Sequence, residues 1–438
     1  RISEESFWRV NEQIFSDMKV RASYGSLGNG NVDPYSFLEL LSIKTSDRVL
    51  NGALNKYTSA PAVMPSGLTW ETATTTDVGL DFGMLNSRFR FSGDYYIRKT
   101  TDMYTVGKTL PEIFGAASPK GNYADMTTKG WEITLTWRDH FELASKPFNY
   151  EIKGTLSDYI STIDRYNNEN KYLDDYYEGM RVGEIWGYET EGLFKDQADI
   201  DNHATQKLIK SSSKNIWYPG DVKLKDQDGN GAIDYGTNRV DDHGDLKVIG
   251  NSLPRFAYSI NLSGDWNNFF ISAFFQGVGK QDWYPSSECI FWGQYNRPYN
   301  NLPTWHVDNY WTEDNQGAYL PRYAGYNTSI RDTKQTRYLQ NVAYIRLKNL
   351  QFGYTLPKQW ISKIMLQNAR VYISAENLWC WSPLYKHTRD LDVTNIYGSD
   401  PDLTDADMKS GLNGKRGSGD GNSYPQMRSI SLGVSVTF

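Results

Sequence analysis

The sequence predicts an all-β fold, a transmembrane antiparallel β-barrel, and three observations carry that prediction. Apolar and polar residues alternate with a period of two in segment after segment, the mark of strands with one apolar and one polar face. No run reaches the ~18 apolar residues that a membrane helix needs, whereas a barrel strand needs only about 9 to 11, half of them polar. Aromatic residues make up 14 % of the chain, with 31 Tyr and 14 Trp, and so many amphipathic rings suit the two interfacial girdles of a barrel better than a packed soluble core.

The strands are justified one by one along the chain. Met18 to Tyr24 and Val78 to Met84 alternate weakly. In "RFRFSGDYYIR" Phe89, Phe91, Tyr95 and Ile97 share one face, with Arg88, Arg90, Ser92, Asp94 and Arg98 on the other. "GWEITLTWRD" sets Trp131, Ile133, Leu135 and Trp137 against Glu132, Thr134, Thr136 and Arg138. Phe148 to Leu156 follows, and then "FAYSINLSGDW", with Phe256, Tyr258, Ile260, Leu262 and Trp266 on its apolar side. Phe269 to Phe275, Val342 to Leu356 and Arg370 to Asn377 come next. "RSISLGVSVTF" closes the series with Ile430, Leu432, Val434, Val436 and Phe438 on one face. The tally is about ten strands, and a parity change between Leu347 and Leu350 predicts a bulge near Lys348 and Asn349.

Charges on the polar faces (Arg88, Asp94, Glu132, Arg138, Lys153, Arg346, Arg370, Glu376) read as lining water, unlike the interior of a soluble sandwich. The connections alternate in length. Short ones run Leu85 to Arg88, Asp139 to Pro147, Asp265 to Asn268 and Pro357 to Asn368; long ones run Gly28 to Trp70, Thr101 to Thr127, Tyr159 to Leu253, Gly279 to Gln340 and Trp379 to Ser423. Short periplasmic turns opposite long extracellular loops are the layout of an outer-membrane barrel, which puts the C-terminus in the periplasm. Loops this long suit a wide barrel, so residues 1–438 are expected to be the C-terminal part of something larger. No signal peptide is present, and processing or truncation is expected to have removed what preceded Arg1.

Several function classes drop out. Net charge is −6 without a basic stripe, so no nucleic-acid partner is expected. The five histidines, His140, His203, His243, His306 and His387, lack metal-pair spacing, and neither G-x-S-x-G nor H-E-x-x-H occurs, so the chain is not read as an enzyme. Cys289 and Cys380 are the two cysteines; free thiols and a single disulfide between loops both remain open.

The segments "MKVRASYGSLGNGN" (18 to 31), "LTWETATTTDVGLDFGML" (68 to 85), "SGDYYIRKTTDMY" (92 to 104), "YPGDVKLKDQDGNGAID" (218 to 234), "VIGNSLPRFAYSINLSGDW" (248 to 266) and "NVAYIRLKNLQFGYTLP" (341 to 357) stand in this order. Together with "RISEESFW", "TTKGWEITLTW", "ARVYISAENLW" and the terminal Phe438, they resemble the SusC/RagA family of TonB-dependent outer-membrane transporters of Bacteroidetes. The resemblance implies a barrel of about 22 strands around a plug, with this chain supplying the C-terminal strands and lacking the plug, the TonB box and the N-terminal extension. It further implies an outer-membrane location in a Gram-negative bacterium, a SusD-like surface lipoprotein as partner, coupling to TonB through the missing part, and import of oligosaccharides or oligopeptides. A surface binding or adhesion protein with a barrel anchor is the alternative function.

One stretch offers chemistry. In "KDQDGNGAIDYGTNRVDD" the residues Asp226, Asp228 and Asn230 occupy positions 1, 3 and 5 of an EF-hand-type loop, Gly231 position 6, Ala232 the carbonyl position 7 and Asp234 position 9. Thr237 stands where the bidentate Glu belongs, and Asp241 or Asp242 is expected to return the missing carboxylate. Calcium held in an extracellular loop is one reading, and an acidic turn built for backbone reasons is the other. Trp186, Trp217, Trp283, Tyr284, Trp292, Trp305 and Trp381 fall in predicted extracellular segments. They are candidates for a substrate or partner surface, with packing of loop on loop as the equal alternative.

Overall fold

The computed structural model describes all residues except 9–10, 12–13, 31–37, 39–40, 60–66, 108–112, 114–117, 207–208, 210–215, 395 and 397–425. Ten strands form one sheet: β1 (Phe15–Asn29), β2 (Glu71–Met84), β3 (Phe89–Val106), β4 (Lys120–Leu143), β5 (Lys146–Arg165), β6 (Arg255–Trp266), β7 (Phe269–Lys280), β8 (Tyr344–Thr355), β9 (Asn368–Trp381) and β10 (Ser429–Thr437). Spatial order equals chain order, and every neighbouring pair is antiparallel. Each alternating segment of the sequence lies in its own strand. The bulge is where the parity change puts it, with register shifts between Leu347 and Asn349 against β9 and opposite Phe274 and Phe275 against β7.

Directly paired residues share a face, and the register keeps apolar residues together. Val78, Tyr95 and Trp131 form one row and Phe82, Phe91 and Leu135 another, with the Phe82 and Phe91 rings stacked at 4.8 Å. Among the described residues nothing covers that face, and Tyr95 is 49 % and Leu135 43 % exposed. Apolar rows left bare in this way are what a lipid bilayer covers.

The opposite face is polar and cross-linked. Arg21 Nε donates to Asp81 Oδ2 at 2.8 Å and Arg21 Nη2 to Asp94 Oδ2 at 2.9 Å, while Ser92 Oγ donates to Asp81 Oδ1 at 2.6 Å. Gly79 leaves the space that this bridge crosses, because a Cβ there would stand 2.3 Å from Asp94 Oδ1 and 2.8 Å from the Arg21 guanidinium. Arg138 pairs with Glu151 further along the same face.

One end of the sheet carries tight turns. Ala144–Ser145 and Asn267–Asn268 take positive φ at both residues, the two-residue geometry whose twist matches paired strands. The other end carries the long connections, including a hairpin of Ser42–Leu50 with Ala53–Ser59 closed by Asn51 and Gly52. Three expected loop boundaries are corrected here, the first being Tyr159 to Leu253, since β5 runs on to Arg165, which pairs with Asp125. Much of Thr101 to Thr127 is strand, with Thr105 paired to Gly121 and Val106 to Lys120. Asp139 to Pro147 shrinks to the two turn residues, since Glu142 pairs with Pro147. Beyond the apolar belt water bathes both faces of a hairpin, so apolar alternation stops before the hydrogen-bond ladder does. The Trp379 to Ser423 connection lies largely outside the described residues.

The fully buried apolar residues gather in the loops. Connections 166–254, 281–343 and 382–396 share one cluster built on Val222, Trp283, Phe291, Trp292, Tyr295, Leu320, Ile330, Tyr338 and Leu384. Among the described residues no helix is long and apolar enough to cross a membrane.

Candidate functional site

The longest connection, 166–254, folds back on itself by short pairings. Glu184–Gly187 pairs with Lys247–Asn251, and Thr190–Leu193 pairs with Val222–Leu224. The helix Gln197–Asp201 starts at Asp196, whose Oδ1 accepts the Asp199 N–H at 2.8 Å, a side-chain N-cap. Ile233 and Leu224, both buried, join Tyr188 and Ile209 in a small core of their own. That core fixes the two ends of the acidic loop 225–234.

The loop is wrapped by its own side chains. Asp226 accepts the Gly229 N–H at 2.7 Å with one oxygen and the Gly231 N–H at 2.8 Å with the other. Asp228 Oδ1 accepts the Asn230 N–H at 3.0 Å, and Asn230 Oδ1 accepts the Ala232 N–H at 2.8 Å. Gly229 and Gly231 supply the left-handed φ of 74° and 84° that so tight a wrap needs. The Gly231 N–H, with that of Gly229, holds the Asp226 carboxyl below the usual carboxylate range.

A carboxylate beyond the motif closes the cradle. Asp245 is fully buried, and its two oxygens accept Gln227 N–H at 2.6 Å and Asp234 N–H at 2.8 Å. One carboxylate oxygen each from Asp226, Asp228 and Asp245 lie within 4.8 Å of one another. This corrects the expectation for Asp241 and Asp242. Asp241 turns outward to Arg239 at 2.6 Å, and Asp242 Oδ2 accepts the Thr237 N–H at 3.2 Å. Asp234 Oδ1 is engaged with the Gly236 N–H at 2.7 Å. Sequence reasoning missed Asp245 because no fixed spacing leads to it; its signal is three-dimensional, a buried carboxylate behind the loop. Three hard oxygen donors converging beside an Asn amide form a donor set that suits calcium.

The cradle is braced to the strands beside it. Glu189 accepts hydrogen bonds from Lys247 and from Gln227 Nε2, the latter at 2.9 Å, and these hold its carboxyl down at about 2. Its backbone oxygen accepts the Lys225 N–H at 2.9 Å. The preceding "YPGD" turn is pinned to the neighbouring connection: buried Asp221 faces Arg322 Nε at 2.7 Å, and the guanidinium lies over Tyr218 at 4.7 Å. Burial raises the Asp221 carboxyl even so, with Arg322 opposing the shift.

The aromatic candidates divide. Trp283 and Trp292 are buried, 1 % and 0 % exposed, and so are not a surface for substrate or partner. Trp292 Nε1 donates to Ser286 O at 3.0 Å. Tyr284 packs against the same core and donates its hydroxyl to Thr333 O at 2.9 Å; Trp305 meets His306 edge-on at 4.3 Å. Trp217 packs partly buried against both loop cores. Trp186 is half-buried, its Nε1 donating to Tyr177 Oη at 3.3 Å. Burial, with a hydrogen bond to Glu184, pushes that phenol up to about 12. Trp381, 53 % exposed at the end of β9, remains at the surface. For most of these rings loop-on-loop packing is therefore the outcome. Among the described residues Cys289 and Cys380 are not joined by a disulfide, one of the two open readings.

No family model matches the chain. Curated relatives do. The chain is 28 % identical over 468 residues to TonB-dependent receptor P3 of Formosa agariphila, covering 100 % of this chain and 41 % of the relative. It is 24 % identical over 448 residues to TonB-dependent receptor SusC of Bacteroides thetaiotaomicron, covering 100 % of this chain and 39 % of the relative. Among solved structures, the RagAB peptide importer in its open-open state superposes with a TM-score of 0.69 at 19 % identity, over 99 % of this chain and 41 % of that one. The chain thus spans about two fifths of the length of the curated relatives it matches.

Proposed function

Since the chain is similar to TonB-dependent receptors that include SusC, we propose that it belongs to the SusC/RagA family and is the C-terminal barrel wall of an importer in the outer membrane of a Gram-negative bacterium. The observation that carries this reading is the two-sided sheet: one face is bare and apolar, the other is charged and bridged by pairs such as Arg21 with Asp81 and Asp94. Long connections packed around Trp292 and Tyr338 crown one end. In this reading the charged face lines the lumen, the crown is extracellular, and the C-terminus is periplasmic. Oligosaccharides or oligopeptides pass inward, a SusD-like lipoprotein sits on the crown, and TonB acts through the part of the protein outside these residues. No residue of the chain does covalent chemistry in this scheme.

The carboxylate cradle has a mechanical role in the same proposal. Calcium held by Asp226, Asp228 and Asp245, with Asn230 and the Ala232 carbonyl available from the loop, would staple the 166–254 connection in one shape. A connection this long gains most from such a staple.

The import reading is tested with the full-length gene in its native host, following uptake of labelled glycan and peptide pools. Uptake that requires both the intact TonB box and the co-purifying lipoprotein supports import. Unchanged uptake of every pool after deletion, with loss only of surface attachment to a ligand, favours the adhesion alternative. For the metal, terbium luminescence of the purified protein reports occupancy, and protease protection of residues 166–254 should fall on chelation.

A further inference from the structure

The bare face of the sheet is not apolar to its upper edge. On β3 the outward positions run Phe89, Phe91, Gly93, Tyr95, Ile97 and then Lys99; on β4 they run Trp137, Leu135, Ile133, Trp131 and then Lys129. Ile97 pairs with Lys129 and Lys99 with Thr127, so the two lysines are diagonal neighbours on that face, with Cβ atoms ~7 Å apart. Both side chains are exposed. Neither takes part in an ion pair or a side-chain hydrogen bond among the described residues. Asp164, outward beside them, accepts the Thr127 hydroxyl; Asp158, which pairs with Trp131 on the same face, is engaged by Arg255; and Asp102 and Asp125 are both taken up by Arg165.

Height decides what these cations meet. Lys99 lies ten residues beyond Phe89, about 34 Å along the strand. At the usual tilt of about 35–45° that is roughly 24–28 Å above the lower aromatic row, the height of a barrel's apolar band. The ammonium groups therefore stand where acyl chains give way to headgroups, above an aromatic step of Tyr95 and Trp131 on which an acyl chain can lie. We propose that Lys99 and Lys129 together bind a phosphate-bearing lipid headgroup of the outer leaflet, two cations facing one dianionic phosphate. This rests on the barrel and its orientation, and is independent of what is imported.

The test uses the full-length transporter in nanodiscs of phosphatidylcholine with a minor fraction of phosphatidic acid, and counts retained lipids by native mass spectrometry. Wild type should keep phosphatidic acid selectively, and Lys99→Ser with Lys129→Ser should lower that retention about tenfold. Lys99→Arg with Lys129→Arg should preserve it. Heat-modifiable gel migration checks folding, and the two single serine variants carry the test if the double variant does not fold. Equal retention in wild type and serine variants overturns the site. Binding of inorganic phosphate without preference between the two lipids overturns it too. A wild-type protein that never enters the discs overturns the barrel reading along with it.

Discussion

Acidification should loosen the loop crown through His306, and the size of the effect follows from its surroundings. The ring is fully buried, edge-on to Trp305 at 4.3 Å and 5.6 Å from Tyr295. One nitrogen, Nε2, lies 2.9 Å from Phe291 O and is assigned as the donor; Nδ1 has no partner among the described residues. A second proton would therefore sit on a buried, unpaired N–H. Burial lowers the pKa to about 4, the Phe291 contact opposing it, against about 6.5 in the unfolded chain. Between these values the open state holds more protons than the closed one, so stability rises with pH there. The penalty is absent above the unfolded value, about 2 kcal/mol at pH 5, and complete at about 3 kcal/mol below the folded value.

Hydrogen exchange over residues 281–343, corrected for intrinsic rates, reads this local opening free energy. Other groups titrate in the same window, so the informative quantity is the difference from His306→Gln, which keeps a donor for Phe291 O and cannot ionise. Between pH 7.5 and pH 5 wild type should lose about 2 kcal/mol more than the variant. Parallel pH profiles for the two proteins would refute the argument.

Three further perturbations follow from the same kind of accounting. Arg322→Ala leaves the buried Asp221 carboxylate without its partner and should cost about 3 kcal/mol locally, seen as faster exchange at 217–224 and 320–322; an unchanged exchange map would show the pair to be ornamental. Asp245→Asn, which keeps an acceptor but removes the charge, should weaken terbium or calcium binding at least tenfold, while Asp241→Asn leaves it unchanged; equal effects would place the third carboxylate elsewhere. Leu135→Arg, in mid-belt, should destabilise the barrel by about 2–4 kcal/mol in urea titrations in lipid vesicles. Glu132→Gln on the opposite face should cost less than about 1 kcal/mol, and the reverse order would exchange the two faces of the sheet.

The sheet was legible because its constraint is local. A strand between lipid and water must alternate at every step, so Phe89 to Ile97 and Trp131 to Trp137 declare both their secondary structure and their two faces without reference to any partner. Even the bulge at Lys348 and Asn349 leaves a trace, since one extra residue inverts the parity after it. Where the strands leave the membrane that constraint ends. Thr101 to Val106 and Lys120 to Met126 continue the ladder with no apolar pattern to announce it, and the sequence reads as loop.

The loop crown was less legible for the opposite reason, because its constraints join residues far apart in the chain. Trp292 is a buried packing residue only once Tyr284 and Tyr338 meet it, and composition cannot distinguish that from a ring awaiting a ligand. The acidic loop shows both regimes at once. Asp226, Asp228 and Asn230 are readable because an EF-hand-type loop sets its oxygen donors on alternate residues with a glycine after them. The closing carboxylate carries no such spacing rule; any aspartate that the fold returns to the cradle will serve. Asp241 and Asp242 are nearer in sequence, but Arg239 and the Thr237 N–H engage them, whereas Asp245 is drawn in by the N–H groups of Gln227 and Asp234. Backbone donors at the two ends of the loop thus select the third carboxylate, and its position is a property of the fold before it is one of any metal.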